Sequence, residues 1–261
     1  SRGIPEGDGD QMTRARFLQI VIVGGATLLV EALCRFGVIT RFTMIPPTEM
    51  AVSLFALARG APWFWPDVLY SLRNLAFAAL IAILGGFLTG LFVHAFPRLR
   101  RTLDPLFASY YSVPTFVLYP LLIVVFGVGP ASLIVMGAIF GVVAMIVATL
   151  TALDRIPRVY LKTARIMGLD PARRVLWVSL PAATPHLITG LKLAVAYSVI
   201  GIIAGEFILA TAGVGKRLAF AYNDFDNSTM YGVLLLILLF AGALNGLLNA
   251  FERRVHARWY R

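Results

Sequence analysis

Two carboxylates lie inside apolar runs, Glu31 in "LLVEALCR" and Glu206 in "GIIAGEFI". An acid at membrane depth suggests a proton or ion ligand. The alternative is a side chain near the interface or paired with a basic neighbour. His94, His186 and His256 are the only histidines, and none forms an HxxxH or HExxH pair. Cys34 is the only cysteine, which rules out a disulfide within the chain and a cysteine metal site. Neither a metal site nor a catalytic residue is expected. "TAGVGKR", residues 211–217, ends in Gly-Lys, but it lacks the first glycine of GxxxxGK[ST] and has Arg217 where Ser or Thr belongs. The chain is therefore expected to bind no nucleotide and no other cofactor.

The segment built for a task is "RIMGLDPARRVLWVSLP", residues 165–181. Gly168 can take the left-handed conformation that closes a helix over roughly 158–167. Asp170 before Pro171 is a strong helix start: the carboxylate caps free N–H groups and proline suits the first helical position. A second helix then runs to Pro181, which is expected to stop it. Arg165, Arg173 and Arg174 are polar points on this hairpin; Ile166, Met167, Leu169, Val175, Leu176 and Trp177 are apolar ones. A stiff amphipathic element of this kind suits docking to a partner protein. A basic loop lying on anionic lipid would need no Gly-Asp-Pro turn.

The hairpin's surroundings set its position. Of 261 residues, 59% are hydrophobic and 14% charged, against about 25% charged in a soluble domain. An all-α, polytopic membrane helix bundle is expected, since lipid tolerates only helices or closed barrels and no barrel alternation is present. Six transmembrane helices are expected at about 17–34, 74–96, 112–128 (interrupted by Pro114 and Pro120), 131–152, 187–210 and 230–250. Residues 1–16 are polar and the next apolar run lacks a small-residue cleavage site, so the first span is expected to remain as an anchor.

The formal net charge of +10 reports orientation, not nucleic acid. Arg2, Arg14 and Arg16, then Arg98, Arg100 and Arg101, fall on one side of the spans. So do Arg155, Arg158, Lys162, Arg165, Arg173 and Arg174, and finally Arg253, Arg254, Arg258 and Arg261. The opposite side has Arg35, Arg41, Arg59, Lys216 and Arg217. The asymmetry puts both termini in the cytoplasm. Residues 1–16 and 251–261 are then cytoplasmic tails around a single transmembrane domain, 17–250, that carries the hairpin at about 158–181. Arg73 and Lys192 sit near span ends, where they could snorkel. On the outer side, Pro46-Pro47 precedes a short helix with Val52, Phe55 and Ala56 on one face, and Trp63 and Trp65 fit an interfacial aromatic belt. The pairs Gly86/Gly90, Gly137/Gly141, Gly201/Gly205 and Gly242/Gly246 are spaced for close helix packing.

At the hairpin the chain resembles membrane (permease) subunits of binding-protein-dependent ABC importers, which carry E-A-A, three residues, G, nine residues, I-x-L-P. Lys162-Thr163-Ala164 stands at E-A-A, Gly168 at the glycine, and Val178-Ser179-Leu180-Pro181 at I-x-L-P. Lys162 and Thr163 depart from the pattern. The resemblance extends over about residues 45–255, through "IPPTEMAVSLFALARG", "SLRNLAFAALIAILGGFLTGLF", "RRTLDPLFASYYSVPTFVLYPLLIVVFGVGPAS" and "GLKLAVAYSVIGIIAGEFI". It is strongest to the nitrate/sulfonate/taurine branch.

The resemblance implies a type I ABC importer permease (MetI-like) fold in a bacterial inner membrane. It also implies a second permease subunit, identical or homologous, and two cytoplasmic ABC ATPase subunits that carry ATP and Mg. An extracytoplasmic solute-binding protein would deliver a small solute, such as an inorganic or organic anion. Lys162, Ala164, Arg165, Gly168, Leu169, Asp170, Arg173, Leu180 and Pro181 would couple to the ATPases. Tyr110, Tyr111, Ser112, Pro114, Tyr197, Ser198 and Glu206 would contribute to the translocation path. The rival classes are an integral membrane enzyme, which would need convergent His, Asp or Glu at one surface, and a non-ABC channel.

Overall fold

The computed structural model describes residues 8–259, and all its regular elements are helical. The parts of the two tails at 1–7 and 260–261, Arg2 and Arg261 among them, lie outside the described residues. The chain forms two compact units, one from the residues up to Ala61 with Ala221–Leu236, the other from Pro62–Phe220 with Ile237 onward.

The first unit contains α1 (Asp8–Arg35), α2 (Pro47–Gly60) and the start of α11 (Asn227–Trp259). The expected first span, 17–34, falls inside α1. Glu31 pairs with Arg35 at 2.6 Å and accepts the Thr48 N–H at 3.0 Å and its hydroxyl at 2.7 Å. It ties α1 to the first turn of α2, where Pro47 sits at the helix start. Ser53 and Ser228 share a hydrogen bond, and Gly232 lets α11 approach Leu57 and Ser53 closely. The expected face of α2 exists: Val52 and Phe55 are exposed together, with Arg59 over the Phe55 ring.

The second unit is organised around α6 (Pro130–Asp154), whose apolar stretch is 61% buried, against 33% for α3 (Phe64–Ala95). Packing here is by small residues. A Cβ on Gly141 would lie 2.6 Å from the Ala194 carbonyl of α9 (Leu180–Leu209), and one on Gly86 would lie 2.6 Å from the Val142 carbonyl. Gly201 faces the Gly137 backbone. The bulky residues of α3, such as Leu80, Leu84 and Leu88, point outward, while Ala78 and Ala82 are buried. This distribution suits lipid, where apolar side chains gain little by hiding and close backbone approach holds helices together. Gly242 and Gly246 meet nothing within 4 Å among the described residues, so the fourth expected pair packs on no helix of its own unit.

Two expected spans are corrected. The third is not a helix over 112–128. α4 (Pro97–Ser109) leads through a 3₁₀ turn, Tyr110–Ser112, to a break, then through Thr115–Leu118 into α5 (Tyr119–Phe126). The two limbs meet at 91°. The cause is Pro114, which forces Val113 out of the helical region to φ −88°, ψ 125°. The fifth span does not begin after a stop at Pro181. α7 (Arg158–Ile166) is followed by α8 (Pro171–Arg174), a π turn at Val175–Ser179, and α9 without interruption. The wide π turn, in which the Leu180 N–H reaches back to the Val175 carbonyl, gives the Pro181 ring room that a regular turn would deny it.

Four helical segments, α3, α6, Val175–Leu209 and α11, are long and apolar enough to cross a membrane; the bent pair makes a fifth if it counts as one span. α10 (Val214–Asn223) completes the set. A methyl group at Gly141 should force α6 and α9 apart and cost about 1–3 kcal/mol, whereas one at Gly242 should not destabilise the isolated chain. Thermal unfolding of Gly141→Ala and Gly242→Ala in detergent checks this; equal melting temperatures would contradict the packing.

Candidate functional site

The hairpin closes as its sequence requires. Gly168 has φ +71°, the Leu169 N–H reaches the Ala164 carbonyl at 3.1 Å, and the Gly168 N–H reaches that of Arg165 at 3.0 Å. Together these bonds satisfy the last carbonyls of α7. The Asp170 carboxylate accepts the Arg173 N–H at 3.2 Å, the cap of α8. Ala164 and Ser179 are buried, and Leu161 packs on the Ala152, Leu153, Ile156 and Ala183 cluster at the end of α6. The inner side of the hairpin is thus pinned to the bundle.

Its outer side is open. Ile166 is 87% exposed, Met167 71% and Trp177 68%, beside the exposed Lys162, Arg165 and Arg173. Leu180 and Pro181 lie half-buried where the arm joins α9.

Above the hairpin, α4, α6 and α9 enclose an open cleft of about 840 Å³. Arg100, Asp104, Arg155 and His186 line it near the hairpin end, and Tyr111 and Tyr197 line it deeper along α9. Arg100 donates to both Asp154 oxygens, at 2.7 and 2.5 Å, which fastens α4 to the end of α6. The Tyr111 and Tyr197 rings are stacked with centroids 4.9 Å apart. Of the seven residues expected on a path, these two line the cleft. Tyr110 instead donates its hydroxyl to the Ile139 carbonyl at 2.8 Å. Ser112 and Pro114 belong to the bend, and Ser198 is buried against Gly141.

Glu206 lies elsewhere, 1% exposed, in a polar network near the opposite end of α9. Its Oε2 accepts the Ser71 hydroxyl at 2.7 Å and the Gly215 N–H at 3.0 Å. The Ser71 Oγ accepts the Val214 N–H at 2.9 Å, and Asp67 accepts from the Gly213 N–H and from Arg217. Arg217 also lies over the Trp63 ring, 4.7 Å from its centroid. The glycines of "TAGVGKR" therefore let a loop backbone close onto α3 and Glu206.

Sequence reasoning missed Asp67, Ser71, Asp104, Asp154, Thr189 and Leu193, and saw Arg100 and Arg155 only as orientation charges. The partners of Asp67, Ser71 and Asp154 lie 54 to 150 residues away, and no local spacing announces them. The Gly213/Gly215 pair was the one visible sign. Lys192, expected to snorkel, is instead held by Asn249 and by Glu252 at 2.6 Å.

The family model described as "Binding-protein-dependent transport system inner membrane component" matches residues 82–259. A probable ABC transporter permease protein of Haemophilus influenzae is 26% identical, over 86% of this chain and 91% of its own length. The taurine transport system permease protein of Escherichia coli is 28% identical, over 81% and 78%. A nitrate import permease protein of Leptolyngbya laminosa is 29% identical, over 75% and 68%. Among solved structures, a chain of the MetNI methionine ABC transporter in an inward-facing conformation superimposes with a TM-score of 0.67 at 20% identity. The match covers 75% of this chain and 99% of that one, and it establishes a shared fold.

A β-branched residue at position 168 must adopt a left-handed backbone, at a cost of about 1–2 kcal/mol, while asparagine tolerates it better. Amide exchange at Leu169 should therefore quicken strongly in Gly168→Val and only slightly in Gly168→Asn. Unchanged protection in Gly168→Val would mean that the turn does not depend on this conformation.

Proposed function

The chain belongs to the family of binding-protein-dependent transport system inner membrane components, and from that premise we propose how its parts share the work. The protein is a multi-pass permease subunit of an ABC importer. In our proposal it crosses a bacterial inner membrane six times with both termini cytoplasmic, and it performs no catalytic step. It pairs with a second permease, identical or homologous, around one path. Two cytoplasmic ATPase subunits, which bind ATP and magnesium, engage the hairpin from below. An extracytoplasmic solute-binding protein supplies the solute from above.

The observation that carries this proposal is mechanical. One continuous helical rod, Val175–Leu209, joins the arm of an exposed hairpin to the wall of a cleft. The hairpin's outer face combines exposed apolar side chains with cations, a surface suited to a protein partner. Movement of that face is transmitted along α9 because the chain has no break between them. ATP-driven closure of the ATPase pair would then rock the two permease bundles against each other. Lys162, Ala164, Arg165, Gly168, Leu169, Asp170, Arg173, Leu180 and Pro181 shape or join this coupling element. A small anion as solute is supported by relatives named for taurine, nitrate and bicarbonate. Arg155, with no ion-pair partner among the described residues, adds a free cation at the cleft.

Apolar anchors at the centre of an interface contribute about 2 kcal/mol or more, which corresponds to about 30-fold in affinity. Ile166→Asp with Met167→Asp should insert normally, yet lose the ATP-hydrolysing partner on purification in mild detergent. Gly168→Val should likewise insert and lose receptor-stimulated ATP hydrolysis. Full co-purification and stimulation in both variants would remove the hairpin from the coupling role.

A further inference from the structure

The cleft ends abruptly, and its end is aromatic. From His186 to Tyr197 it runs about 16 Å along α9 at 1.5 Å per residue, roughly half of a hydrocarbon core about 30 Å thick. The seam between α6 and α9 is closed alongside the cleft and past Tyr197. Gly141 meets Ala194 and Ser198, Gly137 meets Ile202, and Gly201 meets the Gly137 backbone. The Tyr111 ring covers that of Tyr197 at 4.9 Å and 23° between planes. Tyr110 stands edge-on to Tyr111 at 5.3 Å and is anchored to α6 through its hydroxyl.

The two stacked rings have unlike supports. Tyr197 stands on α9, the rod that continues into the hairpin. Tyr111 stands in the 3₁₀ turn at the 91° bend, two residues before the extended Val113 and Pro114. Pro114 has no N–H, and the link offers few backbone bonds to hold one geometry. A shift of α9 relative to this bend slides one ring off the other, while the glycine contacts between α6 and α9 stay closed.

We propose that the Tyr111–Tyr197 stack is the plug of the translocation path, the contact whose separation joins the cleft to the opposite side of the membrane. The contact is ring on ring, so phenylalanine preserves it and a small side chain does not. The proposal rests on the cleft being the path.

The test needs no knowledge of the solute. In a transporter assembled with cysteine-free partner subunits, Cys34→Ser removes this chain's only cysteine, and Leu193→Cys places a single thiol on its cleft wall. A membrane-impermeant cationic methanethiosulfonate is applied to inverted and to right-side-out membrane vesicles without ATP. The thiol should react from the hairpin side and scarcely from the other. An unforced opening populates a minor state of ~10% or less, so Tyr111→Ala or Tyr197→Ala should raise the far-side rate about tenfold or more. Tyr111→Phe and Tyr197→Phe should keep it low. An unchanged hairpin-side rate reports an intact fold; where an alanine variant fails that control, Tyr111→Leu or Tyr197→Leu replaces it. If the thiol reacts from the hairpin side but no ring substitution opens the far side, the plug is refuted and the cleft stands as the path. If the parent thiol reacts from neither side, the cleft is not the path and the plug falls with it.

Discussion

The close contact of α6 with α3 and α9, made backbone to backbone through glycines, is the constraint on which the rest of the unit depends. In water, burying leucine would drive such helices together. In lipid that gain is absent, and association relies on intimate packing of small residues and on polar contacts. The glycines at 86, 90, 137, 141, 190 and 201 meet the facing helix closely. Bulky side chains are turned to the outside, where lipid solvates them at no cost. The same contacts close the α6–α9 seam along the whole cleft and past Tyr197, so the seam is its floor and not its end.

A rigid seam also makes a lever useful. α9 cannot bend away from α6 without breaking these contacts, so a force on the hairpin moves α9 as a piece. Pro181 sits where an ordinary helix would kink or stop, and the π turn at Val175–Ser179 absorbs it. At the other end, Glu206 joins the rod to α3 and to the loop at Gly213–Gly215. The rod is therefore held at its base by the Leu161 and Ala183 cluster, along its length by glycine packing, and at its top by a polar network. α4, by contrast, is tied to α6 through the Arg100–Asp154 pair and a small apolar cluster, and it ends in a proline-broken bend. The cleft lies between the stiff side and the hinged side.

Much of this was legible in the sequence, because the signals were local. Apolar length marked the four helices, or five with the bent pair, that are long enough to cross a membrane. Gly168, Asp170 and Pro171 gave the hairpin, since a left-handed glycine and an N-cap act within a few residues. The motif that ends in Leu180-Pro181 gave the family resemblance. Local reasoning failed at the prolines, and in opposite directions. Pro114 breaks its span harder than composition suggested, because Val113 must leave the helical region. Pro181 stops nothing, because a wide turn just before it accommodates the ring.

From the sequence alone one could determine what each segment is: an apolar helix, a capped turn, a basic surface. Those properties depend on neighbours within one or two turns. Only the tertiary structure decided which side chains meet. Tyr111 and Tyr197, Arg100 and Asp154, and Glu206 and Ser71 are pairs drawn from distant helices. Their meeting depends on the register and rotation with which α3, α4 and α9 dock on α6. Gly137/Gly141 and Gly242/Gly246 have the same spacing, yet the first pair packs and the second meets no described residue of its own unit, because spacing sets a helix face and only docking determines what lies against it.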